Sequence, residues 1–183
     1  IKLYHNTGEK GINYNFENAI SHAKGDIIFL ADQDDVWNEG KIESCKNALK
    51  EYDCIVHDCV VTDSILHPTS PSLLGLIDGK SGFCHNIIRN GFTGCCMCFK
   101  KEMTKHFMPF PKKVDFFYDQ WIGLRIEMKG KTLFLRKALM NFRRHDNTSS
   151  SASGRSRRSI LKQISSRLSL ITNLFLFDLK AHS

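Results

Sequence analysis

The segment Asp26-Ile27-Ile28-Phe29-Leu30-Ala31-Asp32-Gln33-Asp34-Asp35-Val36-Trp37 constrains the fold more than any other. An apolar strand runs directly into an acidic knot, Asp32-Gln33-Asp34-Asp35. Carboxylates this close repel one another, and one stays protonated unless a cation sits among them. The end of a buried strand is where an α/β protein places a ligand. Mg²⁺ suits such a knot, because it takes one or two carboxylates and completes its octahedron with water and substrate phosphates. The alternative reading is a solvated acidic turn that caps the next helix, since Asp is a good N-cap.

The elements around the knot are read from periodicity. Phe16, Ala19, Ile20 and Ala23 repeat at helical spacing, with Asn13 or Asn15 as cap and Gly25 as stop. The strand 26–30 follows, then a helix over 39–52 with Ile42, Cys45, Ala48 and Leu49 on one face. Cys54 to Val61 is rich in β-formers. The order strand, helix, strand, helix, strand predicts an α/β domain with a mostly parallel sheet and helices on its faces. Residues 67–90 read as a long loop holding one short helix, of the kind that serves as a binding loop or lid. A strand is expected over 92–99, a helix over 101–107, a helix over 115–128, and two short strands over 131–135 and 138–143. Residues 148–158 form a Ser/Arg-rich linker, and 159–183 an amphipathic helix with Ile160, Ile164, Leu168, Ile171 and Phe175 in register.

Composition narrows the class. The chain has 183 residues, of which 42% are hydrophobic, enough for a real core. Its net charge is +7, and after Gly154 the cations Arg155, Arg157, Arg158, Lys162, Arg167 and Lys180 face one acid, Asp178. Such a tail suits an anionic surface. The arginines lie among serines without aromatics to stack bases, so nucleic acid is not an expected partner. A basic amphipathic helix reads as peripheral membrane contact, with bundle packing as the plainer alternative. No run is apolar enough to span a bilayer. Seven cysteines, an odd number without a secretory leader, argue against a disulfide framework. Cys95, Cys96 and Cys98 sit in an apolar run and read as small hydrophobes rather than as a zinc site.

Two further clusters can carry chemistry. Asp119 lies among aromatics in Phe117-Tyr118-Asp119-Gln120-Trp121, and burial raises a carboxyl pKa toward that of a general base near neutral pH. The alternative is an exposed helix position. In Arg143-Arg144-His145, an imidazole can ligate metal and the arginines can meet phosphates. The alternative there is a basic turn leading into the linker.

Taken in order, these pieces resemble glycosyltransferase family 2 with the GT-A fold, and within it the bacterial rhamnosyltransferase-like branch. The motifs are Gly11-Ile12-Asn13-Tyr14-Asn15-Phe16, Ala23-Lys24-Gly25-Asp26-Ile27-Ile28-Phe29, Asp32-Gln33-Asp34-Asp35-Val36-Trp37, Lys41-Ile42, Thr93-Gly94-Cys95, Phe117-Tyr118-Asp119-Gln120-Trp121 and Phe142-Arg143-Arg144-His145. The resemblance covers residues 1 to about 150. It implies a cytoplasmic enzyme, and the basic last helix, outside the resemblance, would suit the inner face of the membrane. Its donor would be a UDP- or dTDP-linked sugar, and its acceptor a saccharide or lipid-linked hydroxyl. Asp119 would be the catalytic base. Asp32, Asp34, Asp35, Trp37 and Arg143 would bind the nucleotide sugar, and Thr93, Gly94 and Trp121 the acceptor. Asp32, Asp34 and His145 would hold Mg²⁺ or Mn²⁺. The transferase domain would span 1–147. The family opens with a strand, a helix and a base-binding strand that do not precede Ile1, and Tyr118 stands where it often has His. The chain is thus expected to be a piece of a longer enzyme, or else a truncated domain that only binds nucleotide sugar or a partner.

Overall fold

The computed structural model describes residues 1–144 and 159–180. Among the described residues there are six strands: β1 (Ile27–Phe29), β2 (Val36–Trp37), β3 (Cys54–Thr62), β4 (Pro68–Ser70), β5 (Met97–Lys100) and β6 (Thr132–Arg143). The helices are α1 (Ile12–His22), α2 (Lys41–Ala48), α3 (Leu73–Ile77), α4 (Phe83–Ile88), α5 (Tyr118–Lys129) and α6 (Ile160–Lys180). Short 3-10 turns cover Gly94–Cys96 and Lys101–His106.

The α/β class and the C-terminal helix are as expected, but the sheet is mixed rather than mostly parallel. Its order is β1-β5-β3-β6-β2, with β4 on β3. Only β3 and β6 pair in parallel. The strand–helix–strand order does set strand direction, since β1 and β3 point the same way. They are not neighbours, because β5 slots between them antiparallel to both. The sequence order of β1, α2 and β3 carries no mark of a strand that arrives some forty positions later.

β3 is buried along almost its whole length. Its residues alternate between two apolar clusters: Cys54 and Val56 face the larger core under α5 and α6, and Ile55 faces Cys45 and Leu49 of α2. Burial on both faces explains its unbroken apolar run. The seven cysteines are free, and all but Cys84 are buried. The two strands read over 131–143 are one, β6, whose pairing with β3 shifts register between His57 and Val60. The segment 67–90 holds β4 and two helices rather than one. Asp58 organises its start, accepting from Leu74 N at 2.9 Å and from the Ser72 hydroxyl.

α6 packs through Leu170 and Leu174. It is fastened by Arg125, which is fully buried and donates to the Leu174 carbonyl at 2.9 Å and to Asp178. The stripe read from the sequence faces outward instead: Ile164, Leu168 and Phe175 are exposed. Both stripes have helical spacing, and periodicity alone does not say which of two apolar faces packs. No helix among the described residues is long and apolar enough to cross a membrane.

Candidate active site

The acidic turn begins at Asp32, three residues past β1, where the chain leaves the sheet between β1 and β2. Leu30 is buried and its N–H still donates to Met97 O at 3.1 Å, so the turn is anchored to β5. On the far side, Asp35 Oδ1 accepts from Arg143 N at 3.1 Å. Asp35 Oδ2 is buried without a hydrogen-bond partner. Burial raises the Asp32 carboxyl above its ordinary range, and the Asp35 and Asp34 charges add to this. Burial also raises Asp35, against the pull of the Arg143 N–H. A carboxyl oxygen of Asp32, one of Asp35 and the Cys95 Sγ lie within 4.8 Å of one another. Hard oxygen donors with an unsatisfied buried lone pair fit Mg²⁺ or Mn²⁺. The thiol is unusual beside them, and it is a protonated one: the neighbouring Cys96 thiol, then burial, hold its pKa well above the ordinary value.

The segment Thr93-Gly94-Cys95 joins this turn to α5. Gly94 is packed so closely on Tyr118 that a Cβ there would collide with the phenol hydroxyl. Asp119, in the first turn of α5, receives the backbone N–H of Gln120 at 2.7 Å, and the Gly94 N–H also faces it. Burial raises its pKa to about 6; those N–H groups oppose the rise and the Asp32 charge adds to it. Asp32 and Asp119, far apart in sequence, therefore sense each other across one surface. The helix N-terminus favours the ionised form, so burial outweighs it here. Asn13 sets the start of α5. Its Oδ1 accepts from Tyr118 N at 2.9 Å and its Nδ2 donates to Phe116 O at 2.9 Å. Asn13 thus caps α5 across space rather than its own helix, whose N-cap is Gly11.

Of the residues expected at the site, Asp32, Asp35, Gly94 and Asp119 come together. Asp34 lies in the same turn. Trp37 is half-buried, with its ring centroid 5.8 Å from that of Phe29. Arg143 meets Asp35 through its backbone, and its Nε is buried without a partner. Trp121 does not reach the site. It is 1% exposed, donates its indole N–H to Phe107 O at 2.9 Å, and packs against Phe116 and Phe177. Its apolar ring is better satisfied in the core than on an acceptor wall, and only its helix neighbour Asp119 turns outward. His145 and the linker 148–158 lie outside the described residues.

Two buried titratable groups behind the turn were given no role by the sequence reading, although Lys41 stands in one of its motifs. Lys41, the first residue of α2, is 2% exposed, with Nζ 3.9 Å from the Trp37 ring centroid. Burial lowers its pKa, against the nearby thiols. His57 on β3 is 1% exposed. Its Nδ1 donates to Asp58 O at 2.7 Å, which leaves Nε2 as a buried lone pair without a partner. Burial and then the Lys41 charge depress it to about 4. A lysine just after an acidic turn looks like a solvated helix start, so no local signal marked it as buried.

A mixed α/β sheet with an acidic turn leaving one strand and a half-buried carboxyl at the facing helix N-terminus defines a GT-A type domain. The profile described as Glycosyl transferase family 2 matches residues 1–108, and the chain belongs to that family. No curated protein matches the chain. Among solved structures, S. aureus TarS 1–349 in complex with UDP-GlcNAc superposes with a TM-score of 0.58 at 14% identity, covering 86% of this chain and 46% of that one. A second structure of S. aureus TarS 1–349 gives 0.55 at 14% identity, over 73% and 40%. A further S. aureus TarS structure gives 0.53 at 14% identity, over 70% and 24%. At such identity the likeness is one of fold. The chain spans less than half the length of these structures.

Proposed function

We propose that this chain carries the donor and catalytic part of an inverting glycosyltransferase of the rhamnosyltransferase-like branch. The donor is a UDP- or dTDP-linked sugar, and the acceptor a saccharide or lipid-linked hydroxyl. The observation that carries the reading is the pairing of Asp119 with the acidic turn: a half-buried carboxyl with a pKa of about 6 lies within electrostatic reach of Asp32. A base needs a pKa near the working pH. Asp119 takes the proton of the acceptor hydroxyl as that oxygen attacks the anomeric carbon. The bond from that carbon to the diphosphate oxygen breaks on the opposite face, and the anomeric centre inverts. The Gly94 N–H keeps the carboxylate aimed. Asp32, Asp34 and Asp35 lie at the diphosphate end with Trp37 and Arg143, while Thr93 and Gly94 border the acceptor. Mg²⁺ or Mn²⁺, held by Asp32 and Asp34 with His145, would neutralise charge on the leaving diphosphate. The transferase domain is taken as 1–147 and the linker as 148–158. The outward side of the helix in 159–183 is apolar, with Leu161, Leu168 and Phe175 exposed beside Lys162, which supports peripheral contact with a membrane.

The test is release of nucleoside diphosphate from UDP- and dTDP-sugars with Mn²⁺ and a saccharide acceptor, and NMR of the product's anomeric configuration. Asp34→Ala and Asp119→Asn should each abolish transfer. Undiminished turnover in both sinks the reading, as does retained configuration. Donor binding without turnover in the wild type assigns the chain to the binding-only class.

A further inference from the structure

Lys41 is a costly group to bury near the site. Its ammonium is 2% exposed, and among the described residues no carboxylate lies within ion-pairing distance. A buried charge without a partner costs several kcal/mol, and proteins seldom keep one without a use. A methionine or leucine would fill the volume without that penalty.

What the ammonium touches is specific. Nζ donates to the Cys95 carbonyl at 3.2 Å and to the weak acceptor Met140 Sδ at 3.4 Å. It lies 3.9 Å from the Trp37 ring centroid, within cation–π range. Trp37 follows the acidic turn directly, and Cys95 follows Gly94, whose N–H faces Asp119. One cation therefore grips both sides of the site. Its field also reaches Asp35, whose ionised form it favours, and His57. The acidic turn and the 93–96 segment have few other ties: the Cys95 thiol is a weak donor to Asp32 and Asp35.

We propose that Lys41 is a positioning residue that clamps Trp37 to the Cys95 carbonyl, and so fixes the distance between the acidic turn and the Gly94–Asp119 pair. Its consequence for donor binding rests on the function proposed above; the clamp itself does not. A neutral side chain of the same length would fill the space but could neither donate to the carbonyl nor hold the indole face. Arg keeps the charge and both contacts in kind.

The experiment uses the full chain with Trp121→Phe, which leaves Trp37 as the reporter tryptophan. Lys41→Met and Lys41→Arg are compared for near-UV circular dichroism, acrylamide quenching of Trp37, and uptake of Mn²⁺ with UDP followed by electron paramagnetic resonance. Lys41→Met should fold, show a severalfold rise in quenching, and lose Mn²⁺–UDP affinity by about tenfold, equivalent to about 1.4 kcal/mol. Lys41→Arg should restore both. A folded Lys41→Met with unchanged quenching overturns the proposal. If quenching rises but the wild type takes up no Mn²⁺–UDP, the clamp stands and the donor-site reading falls. Should Lys41→Met not fold, ¹⁵N NMR of the wild-type Lys41 ammonium decides: a slowly exchanging, resolved resonance supports the clamp, and a fast-exchanging one like those of surface lysines refutes it.

Discussion

Asn13 and Tyr118 share a 2.9 Å hydrogen bond across 105 positions of sequence, and through it α1 supplies the cap of α5. The N-cap of α5 is Phe117, which has no side-chain acceptor to offer. Replacing Asn13 by Ala should leave the Tyr118 N–H and the Phe116 carbonyl without partners. A lost cap costs about 1–2 kcal/mol, so urea unfolding should shift by that order. The catalytic consequence should be larger than the loss of stability suggests, because the start of α5 aims Asp119. Asn13→Ala with unchanged stability and unchanged Asp119 titration by ¹³C NMR would show that the contact carries no weight.

Gly94 admits no side chain. A Cβ there would collide with the Tyr118 hydroxyl and lie 2.7 Å from the adjoining ring carbon. Tyr118 cannot swing aside cheaply, since it is 5% exposed and stacked on Phe16 with ring centroids 3.8 Å apart. Gly94→Ala should therefore destabilise by about 1–3 kcal/mol, as overpacking does. Gly94→Ala combined with Tyr118→Phe should recover part of the loss, because the clashing oxygen is gone. A thermal melt in which the single variant matches the wild type would refute the close packing.

The acid limb of stability should depend on the tie between α5 and α6. The Arg125 guanidinium, then the Lys129 ammonium, holds the Asp178 carboxyl well below its ordinary range. A depressed folded pKa contributes stability that is present above the unfolded carboxyl pKa and is lost as pH falls through the acid range. Asp178→Asn should flatten the stability profile below about pH 4, the unfolded carboxyl value. Arg125→Met should be much worse than Asp178→Asn. It removes a fully buried cation that also donates to His106 O at 2.7 Å and Leu174 O at 2.9 Å. Asp178 keeps Lys129 as a partner, so the cost comes from the backbone acceptors left unsatisfied, about 1–3 kcal/mol for each buried one. Limited proteolysis at α6 reads the outcome, and equal resistance in Arg125→Met and wild type would contradict it.

Most of the helices and the acidic turn were legible because each is written locally. The apolar run before Asp32, the helical spacing around α1 and α2 and the aromatic setting of Asp119 all lie within a dozen positions. What was not legible depends on which distant segment arrives beside them. β5 between β1 and β3 is one such case. Trp121 is another: as a neighbour of Asp119 it looked like part of the pocket, but a helix turns by about 100° per residue, and two positions carry it to the core side. Lys41 is a third, buried only because the Cys95 carbonyl and Trp37 close over it. Local pattern names the titratable groups of a candidate site more readily than the packing that surrounds them.

Buried His57 and half-buried Asp119 behave oppositely and should cancel between pH 4 and 6. The Asp119 pKa is raised from 3.8 to about 6 by burial, so its contribution to stability is full below the unfolded value and is lost as pH rises through about 6. His57 is depressed from 6.5 to about 4 by burial, so its contribution is full above the unfolded value and is lost as pH falls through about 4. Each mismatch is about two pKa units, and at about 1.4 kcal/mol per unit each is worth on the order of 2–3 kcal/mol. The two slopes oppose each other in the same window, so together they leave the wild-type profile nearly flat there. Asp119→Asn removes one slope. It should raise stability at pH 7 while stability falls more steeply on acidification, even as sugar transfer is lost. His57→Phe should do the reverse, keeping or gaining stability toward pH 4 relative to wild type. Urea titrations at half-unit steps between pH 4 and 7 give the difference curves. Parallel curves for wild type and Asp119→Asn would mean that Asp119 is solvated in the folded chain, and would remove the physical basis for using it as a base.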